Sequence, residues 1–289
     1  MNVIEVIQKS ASYLAKRGID NPRLEAETLL ASVLAKPRLQ LYLGFERKVS
    51  SQELDMVREF VKRRGGREPL QHILGSISFC GLEMTVSRDV LVPRPETELL
   101  AERAWAFLAT CGTPEPDVLD FGTGSGCLAV TLAKHCPSAR IQALDISAAA
   151  LEVAHSNASA HGVESGIQFR ECNGLTALPT DLKFDLIVSN PPYIPSGQID
   201  QLEPEVKHFD PRIALDGGAE GMDFHRLLAS EARDRIWPEG RLMLEIGDGQ
   251  DESVRTLFEQ HKWIVEAVEK DYTGRPRILI AGVNPNSKA

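Results

Sequence analysis

Apolar residues repeat at helical spacing through the first seventy or so positions of the chain. This spacing predicts a helix over residues 2–17, after which Gly18 supplies a C-terminal cap. A second helix is predicted to start with Asn21 as its N-cap and Pro22 at its first helical position. Polar positions between the apolar ones then face solvent, so these segments are expected to pack on one another.

Two further helices are predicted in the same region. A short one lies near residues 39–43, and a longer one starts at Ser50, which forms a capping box with Glu53. The longer helix is expected to stop at the glycine pair 65–66. Residues 1–74 are therefore predicted to form a small helical bundle that docks a substrate protein.

The pattern changes to alternation after this bundle. Residues 75–92 place apolar side chains at every second position on both sides of Gly81, which suits a turn. The alternating positions are Ile77, Phe79, Leu82, Met84 and Val86. We expect a β-hairpin linker between the bundle and the rest of the chain.

Strand and helix patterns follow one another in residues 93–289. Strands are predicted at 117–121, 141–145, 167–171, 184–189, 241–246, 262–268 and 276–282. Helices are predicted near 95–109, 126–135, 148–160, 221–235 and 250–260. This alternation predicts an α/β domain with a mainly parallel sheet and helices on both faces.

Composition limits the classes of protein to consider. The chain has 289 residues, of which 43% are hydrophobic, and no run approaches the roughly 18 apolar residues of a membrane helix. Its start lacks the pattern of a secretory signal, and its five cysteines are scattered without metal-ligand spacing. We therefore expect a cytoplasmic, monomeric protein with no membrane association and no metal.

Charge is divided unevenly along the chain, whose formal net charge is −9. Residues 1–75 contain 13 basic and 9 acidic residues, whereas the remainder contains 19 basic and 32 acidic residues. Proteins that bind duplex phosphates need a basic surface, so the acidic larger part argues against direct nucleic-acid binding. The basic run at residues 62–64 is either a solvated helix end or a docking patch, in which Arg63 and Arg64 would meet an acidic partner.

A glycine-rich turn follows the first predicted strand of the α/β domain. It consists of Gly122, Thr123, Gly124, Ser125 and Gly126. Glycines here let the backbone turn tightly and approach a ligand. The next strand ends at Asp145, about 20 residues on, where a carboxylate can accept both hydroxyl groups of a ribose. The two features predict a nucleoside-containing cofactor.

The fourth predicted strand ends in Asn190, Pro191, Pro192 and Tyr193. The prolines lack the N–H needed to continue a sheet, so the chain must turn there. A planar amide or amine could donate to the Asn190 side-chain oxygen and the Pro191 carbonyl, while Tyr193 lies against its flat face. This tetrapeptide predicts a site where such a nitrogen is positioned for reaction.

The glycine turn, Asp145 and the Asn-Pro-Pro-Tyr segment together resemble Rossmann-like class I methyltransferases, which use S-adenosyl-L-methionine and release S-adenosyl-L-homocysteine. More closely, the chain resembles the bacterial HemK-type protein-(glutamine-N5) methyltransferases. The further segments that carry this resemblance are Glu68 to Gly75, Val92 to Glu98, Ala214 to Gly218, and Gly274 to Arg277.

That resemblance implies methylation of the glutamine in the Gly-Gly-Gln motif of peptide chain release factors. It implies that residues 122–126 and Asp145 bind the cofactor, that Asn190 to Tyr193 bind the glutamine, and that Asn190 also borders the cofactor. Many members have an acidic and then an aromatic residue beside the adenine, where this chain has Asn173 and Gly174. Asn173 could still bond the adenine amino group, whereas Gly174 provides no aromatic packing.

One alternative activity shares the Asn-Pro-Pro-Tyr segment. Enzymes that methylate adenine N6 or guanine N2 in nucleic acids flip their target base into a comparable site. Such an enzyme should carry a basic recognition surface, which the acidic larger part of this chain does not provide. A binding module that has lost catalysis is a second alternative, against which the intact Asn190 and Asp145 argue.

Overall fold

Helices make up the regular structure of the first 75 residues of the computed structural model, which describes residues 1–283. The helices are α1 (Val3–Lys16), α2 (Pro22–Val33), α3 (Gln40–Leu43), α4 (Ser51–Gly65) and α5 (Leu70–Leu74). Their apolar faces enclose one core, in which Leu14, Leu29 and Leu30 are fully buried. The helical unit comprises Met1–Ser76 together with Glu203–Phe209. The predicted bundle is confirmed in its helices.

The ends of these helices were predicted with mixed success. Ser50 accepts a hydrogen bond from the Glu53 amide and completes the predicted capping box. Asn21 is the N-cap of α2 and Pro22 its first residue, as predicted, but Asn21 has left-handed backbone angles (φ 49°, ψ 46°) and makes no side-chain capping hydrogen bond. A capping side chain normally sits on an extended backbone. Here Pro22 fixes the first helical position and burial of the apolar face stabilises the helix instead.

The basic run at the end of α4 is not a free docking patch. Arg64 is only 6% exposed and forms ion pairs with Glu25 and, at 2.9 Å, with Glu205. Arg63 bonds both carboxylate oxygens of Glu68 at 2.9 Å. Arg64 is thus paired within the helical unit and is not free to meet an acidic partner protein, whereas docking by the rest of this unit remains a prediction.

The second unit comprises Ile77–Leu202 and the chain from Asp210 onward. The predicted hairpin is present as β1 (Ser76–Phe79) and β2 (Leu82–Thr85). Its two turn residues, Cys80 and Gly81, have positive φ angles of 48° and 77°, as the tight turns of hairpins require.

A seven-stranded sheet forms the centre of this unit. Its strands are β3 (Asp117–Phe121), β4 (Arg140–Asp145), β5 (Ile167–Glu171), β6 (Phe184–Ser189), β7 (Ile236–Glu245), β8 (Trp263–Lys270) and β9 (Pro276–Val283). They lie in the order β5-β4-β3-β6-β7-β9-β8. All neighbours are parallel except that β9 runs antiparallel to both β7 and β8. The mainly parallel sheet is confirmed.

Helices cover both faces of the sheet. They are α6 (Pro95–Leu108), α7 (Cys127–His135), α8 (Ala148–Ala160), α10 (Asp223–Glu231) and α11 (Asp251–Gln260), whereas α9 (Pro204–Phe209) belongs to the helical unit. Alternate residues of β6 enter different cores: Leu186 and Val188 belong to one cluster, and Ile187 to the other. A strand buried on both sides is a continuous apolar run, which is why the sequence pattern identified it.

The order of the strands determines where a ligand can bind. The chain passes from β3 to β4 on one side, whereas β6 lies on the other side of β3. In open α/β sheets such a reversal leaves a crevice outside the carboxyl ends of the strands. The glycine turn after β3, Asp145 at the end of β4 and Asn190 after β6 all fall at this edge. Within residues 1–283, no helix has the length and apolar character to cross a membrane.

Candidate active site

A cavity of about 160 Å³ opens at this edge of the sheet. A single water needs only about 10–15 Å³ of such volume, so the cavity can admit an organic ligand. The predicted site residues that border it are Gly122, Thr123, Gly124, Ser125, Asp145, Asn173, Gly174, Asn190 and Pro192. The structure thus brings together residues from four separate strand ends. Gly126, Pro191 and Tyr193 are adjacent in sequence to lining residues but are not part of the lining.

Gly122 and Gly124 give the turn after β3 its shape. Their φ angles are 73° and 55°, values that side chains other than glycine rarely adopt. A Cβ atom added to either would meet no other atom within 4 Å, so the bare backbone faces open space at the cavity. Such a backbone allows close approach by a ligand.

Gly126 has a different reason to be glycine. It caps α7 with a φ of 77°, and an added Cβ would come within 3.0 Å of the Ala154 Cβ on α8. Gly126 therefore permits close packing of the two helices. Its predicted contact with a cofactor remains a prediction.

Asp145 is held in place by backbone amides. Its Oδ2 accepts from the Gly124 amide and its Oδ1 from the Ser147 amide, both at 2.9 Å. Ser147 also caps α8 by accepting from the Ala150 amide at 3.2 Å. Each Asp145 oxygen retains a lone pair beside the cavity, which fits the hydroxyl groups of a ribose.

Asp120, at the base of the same turn, was given no role by the sequence analysis. Its Oδ2 accepts from the Thr123 hydroxyl at 2.7 Å and the Ala129 amide at 3.1 Å. Its buried Oδ1 has no hydrogen-bond partner among residues 1–283. Burial raises the pKa of this carboxyl to about 7. Asp120 therefore differs from Asp145, because one of its two carboxylate oxygens has no hydrogen-bond donor within the described residues.

Asn190 belongs to a chain of buried hydrogen bonds. Its amide nitrogen donates to the Thr97 hydroxyl at 3.0 Å, and the Thr97 hydroxyl donates to Glu245 Oε2 at 2.7 Å. The Tyr193 hydroxyl donates to the other oxygen, Glu245 Oε1, at 3.1 Å. Asn190 Oδ1 and the Pro191 carbonyl accept no hydrogen bond from the described part of the chain, and Asn190 borders the cavity.

Thr97 and Glu245 are functional candidates that the sequence analysis did not single out. Thr97 is 1% exposed at the start of α6, and Glu245 is 1% exposed at the end of β7. Burial, the largest effect, raises the pKa of the Glu245 carboxyl. Burial and then the charge of Glu245 raise the pKa of Tyr193. The sequence signal that could have identified Glu245 is an acidic residue directly after the apolar run 242–244, in the strand that pairs with β6.

Residues 214–218 shape the segment that follows Asn190. The Ile194 amide donates to the Leu215 carbonyl at 3.1 Å, and the Gly217 amide donates back to the Ile194 carbonyl at 2.9 Å. A Cβ on Gly217 would lie 2.7 Å from the Pro192 carbonyl oxygen, so only glycine fits. This bracing fixes the direction in which the chain leaves the cavity.

Two protein-family models match parts of this chain. The model of the PrmC N-terminal domain matches residues 5–75, and that of the methyltransferase small domain matches residues 101–203. The structure of the T. thermophilus 16S rRNA N2 G1207 methyltransferase, solved with AdoMet and guanosine, covers 72% of this chain and 50% of its own, with a TM-score of 0.51 and 20% identity. That likeness concerns the fold alone.

Two curated relatives extend over most of the chain. The release factor glutamine methyltransferase of Geobacter sulfurreducens is 41% identical over 95% of this chain and 94% of its own length. The protein of the same name from Chlorobaculum tepidum is 43% identical over 89% of each. These extents take in both the helical unit and the α/β unit, and the chain belongs to the family of release factor glutamine methyltransferases.

Proposed function

We propose that this protein methylates the side-chain amide nitrogen, N5, of the glutamine in the Gly-Gly-Gln motif of class I peptide chain release factors. The observation that carries the proposal is the pair of unused acceptors, Asn190 Oδ1 and the Pro191 carbonyl, in a turn whose Asn190 and Pro192 border the cavity at the sheet edge. A primary amide has two N–H donors, which match these two acceptors. The family to which the chain belongs acts on the same chemical group.

The donor in this proposal is S-adenosyl-L-methionine, which supplies an electrophilic methyl group on a positively charged sulfur. The open backbone at Gly122 and Gly124 and the fixed carboxylate of Asp145 fit its nucleoside. Thr123, Ser125, Asn173, Gly174 and Asn190 complete the proposed cofactor contacts, with Gly126 placing the turn.

The residues after β6 would act by orientation. An amide nitrogen is a weak nucleophile because its lone pair is delocalised into the carbonyl. Acceptance of both N–H bonds by Asn190 and Pro191 draws electron density toward that nitrogen and fixes the direction of its lone pair. Correct positioning of this kind can lower a barrier by about 7–11 kcal/mol. In the proposal Tyr193 and Pro192 confine the flat amide, and the excess proton leaves to water.

The proposal extends to the setting of the reaction. We infer that the protein acts as a cytoplasmic monomer, that its helical unit takes part in binding the release factor, and that it has no direct nucleic-acid substrate. A protein that binds the phosphates of a nucleic acid needs a basic surface. In residues 76–289, however, acidic residues outnumber basic ones by 32 to 19.

Methyl transfer to a purified release factor tests this function. Incubation with S-adenosyl-L-methionine should add one methyl group to the Gly-Gly-Gln peptide, located by fragment mass spectrometry on the glutamine. A release factor with alanine in place of that glutamine should stay unmodified. Label that enters rRNA or DNA and spares the release factor would overturn the proposal.

The variant Asn190→Ala tests the site within the same assay. Loss of the positioning acceptor should lower kcat by at least about 100-fold, the effect typical of one lost transition-state contact. Cofactor affinity measured by calorimetry should change by less than about 3-fold, because Asp145 and the glycine turn are intact. An equal loss in both quantities would make Asn190 a cofactor residue first.

A further inference from the structure

The hydrogen bonds that end at Asn190 all point in one direction. Glu245 is a carboxylate, which only accepts hydrogen bonds when ionised. It accepts from Thr97 at 2.7 Å and from Tyr193 at 3.1 Å. Since the Thr97 proton is directed at Glu245, the Thr97 oxygen offers only lone pairs to Asn190.

This direction decides which end of the Asn190 amide faces the cavity. The Thr97 oxygen needs a donor, and the Asn190 amide nitrogen supplies it at 3.0 Å. The Asn190 carbonyl oxygen must then face the cavity, which both Thr97 and Asn190 border. A flipped amide would set two acceptors, Asn190 Oδ1 and Thr97 Oγ1, against each other. A buried polar group left without a partner costs about 1–3 kcal/mol.

We propose that Glu245 and Thr97 are positioning residues that set the polarity of Asn190 and thereby make the site select a glutamine amide over a glutamate carboxylate. The inference rests on the proposed function and adds its specificity. Glutamine presents N–H donors to Asn190 Oδ1, whereas glutamate presents only acceptors when ionised. A site built to accept hydrogen bonds rejects a side chain that cannot donate them.

Burial makes this arrangement durable. Thr97 and Glu245 are each 1% exposed, so water cannot readily take the place of either partner. The three residues come from different elements, α6, β7 and the turn after β6, and the backbone of each is fixed by its own element. The polarity is thus a property of the folded protein before any substrate binds.

The test compares Thr97→Val with Thr97→Ser. Valine has nearly the shape of threonine but no hydroxyl, so it breaks the chain while leaving the charge of Glu245 in place. Serine retains the hydroxyl. Binding of a release factor carrying Gly-Gly-Gln or Gly-Gly-Glu is measured for each variant in the presence of S-adenosyl-L-homocysteine.

The inference is tested by the ratio of the affinity for the Gly-Gly-Gln release factor to the affinity for the Gly-Gly-Glu form. The unmodified enzyme and Thr97→Ser should favour glutamine by a similar factor, whereas Thr97→Val should lose at least about 10-fold of that preference, as one unpaired buried polar group predicts. Glu245→Gln, which can donate back to Thr97, should reduce the ratio as well. Thermal unfolding of each variant identifies any general loss of fold.

Two results separate the inference from the proposed function. If the unmodified enzyme methylates the release factor and Thr97→Val keeps the full glutamine preference, the polarity inference is wrong and Thr97 is merely structural. If the unmodified enzyme neither binds nor methylates the glutamine form, the proposed function itself fails. A folded Thr97→Ser that loses the preference together with Thr97→Val would also contradict the inference, since its hydroxyl is intact.

Discussion

At the scale of single residues, carboxylates near the cavity differ in the number of donors that the fold gives them. Asp145 accepts two backbone amides, one on each oxygen. Asp120 has two donors on Oδ2 and none on its buried Oδ1. An ionised carboxylate without donors is costly to bury, so Asp120 is expected to favour its protonated form in the folded protein without cofactor.

Asp120 should therefore make stability depend on pH. Burial raises its pKa from 3.8 to about 7. The stability contributed by the protonated carboxyl is therefore complete below pH 4 and is lost as the pH rises through 7. We expect the stability of Asp120→Asn, which cannot ionise, to rise relative to the unmodified protein by on the order of 4 kcal/mol between pH 4 and pH 8. Urea unfolding of the cofactor-free protein at several pH values measures this difference.

The exposed Asp181 provides the matched control. The difference in unfolding free energy between Asp181→Asn and the unmodified protein should stay within about 0.5 kcal/mol across the same pH range. A difference for Asp120→Asn that is constant with pH would show that Asp120 is ionised in the fold throughout.

At the scale of elements, long apolar runs and regular alternation were readable from the sequence. The strands β3, β5 and β6 begin and end where the pattern placed them. Burial on both faces makes the centre of β6 a continuous apolar run, whereas the edge strand β5 alternates apolar and polar residues. The N-cap position of α2 was predicted, but its geometry was not, since Asn21 takes left-handed angles that its residue type permits and that no sequence pattern indicates. Thr97 and Glu245 were missed because their partnership joins residues 148 positions apart.

Two glycines of one turn should respond differently to alanine. Gly126→Ala introduces both left-handed strain and a 3.0 Å approach to Ala154, so it should cost about 2–4 kcal/mol of stability. Gly124→Ala meets open space and should cost only about 1 kcal/mol. Chemical unfolding without cofactor measures both values.

Cofactor binding should show the reverse order for the same two variants. The Cβ of Gly124→Ala would project into the cavity that the proposed cofactor fills. Gly124→Ala should therefore lose more affinity for S-adenosyl-L-homocysteine than Gly126→Ala does. Calorimetry on the folded variants measures this affinity. Equal stability losses in the two variants would refute the proposed packing role of Gly126.

At the scale of the whole molecule, the helical unit recruits a segment from far along the chain. Residues 203–209 group with residues 1–76, and Glu205 bonds Arg64 and Arg67, each at 2.9 Å. Glu205 is 20% exposed in its side chain, and Glu203, which also pairs with Arg67, is 79% exposed. No local sequence pattern could pair α4 with a segment about 140 residues later.

Glu205→Gln should therefore destabilise the helical unit by about 1–3 kcal/mol, since it leaves the buried Arg64 with one charged partner fewer. Glu203→Gln is the matched control and should change stability by less than about 0.5 kcal/mol, as exposed ion pairs contribute little. Hydrogen exchange of α4 and of residues 203–209 measures the local effect. Equal protection in both variants would mean that Glu205 contributes no more than an exposed pair.

The antiparallel strand β9 has a consequence for the order of assembly during synthesis. It lies between β7 and β8, and its Ile278 is the register partner of Glu245. A ribosome makes β7 and β8 before β9 exists. Neither strand can therefore pair with β9 until this last strand emerges. The glycine turn could form early, but the carboxylate that orients Asn190 would acquire its flanking strand last. A nascent chain stopped before Pro276 should thus leave Glu245 without its flanking strand and the proposed glutamine site unassembled.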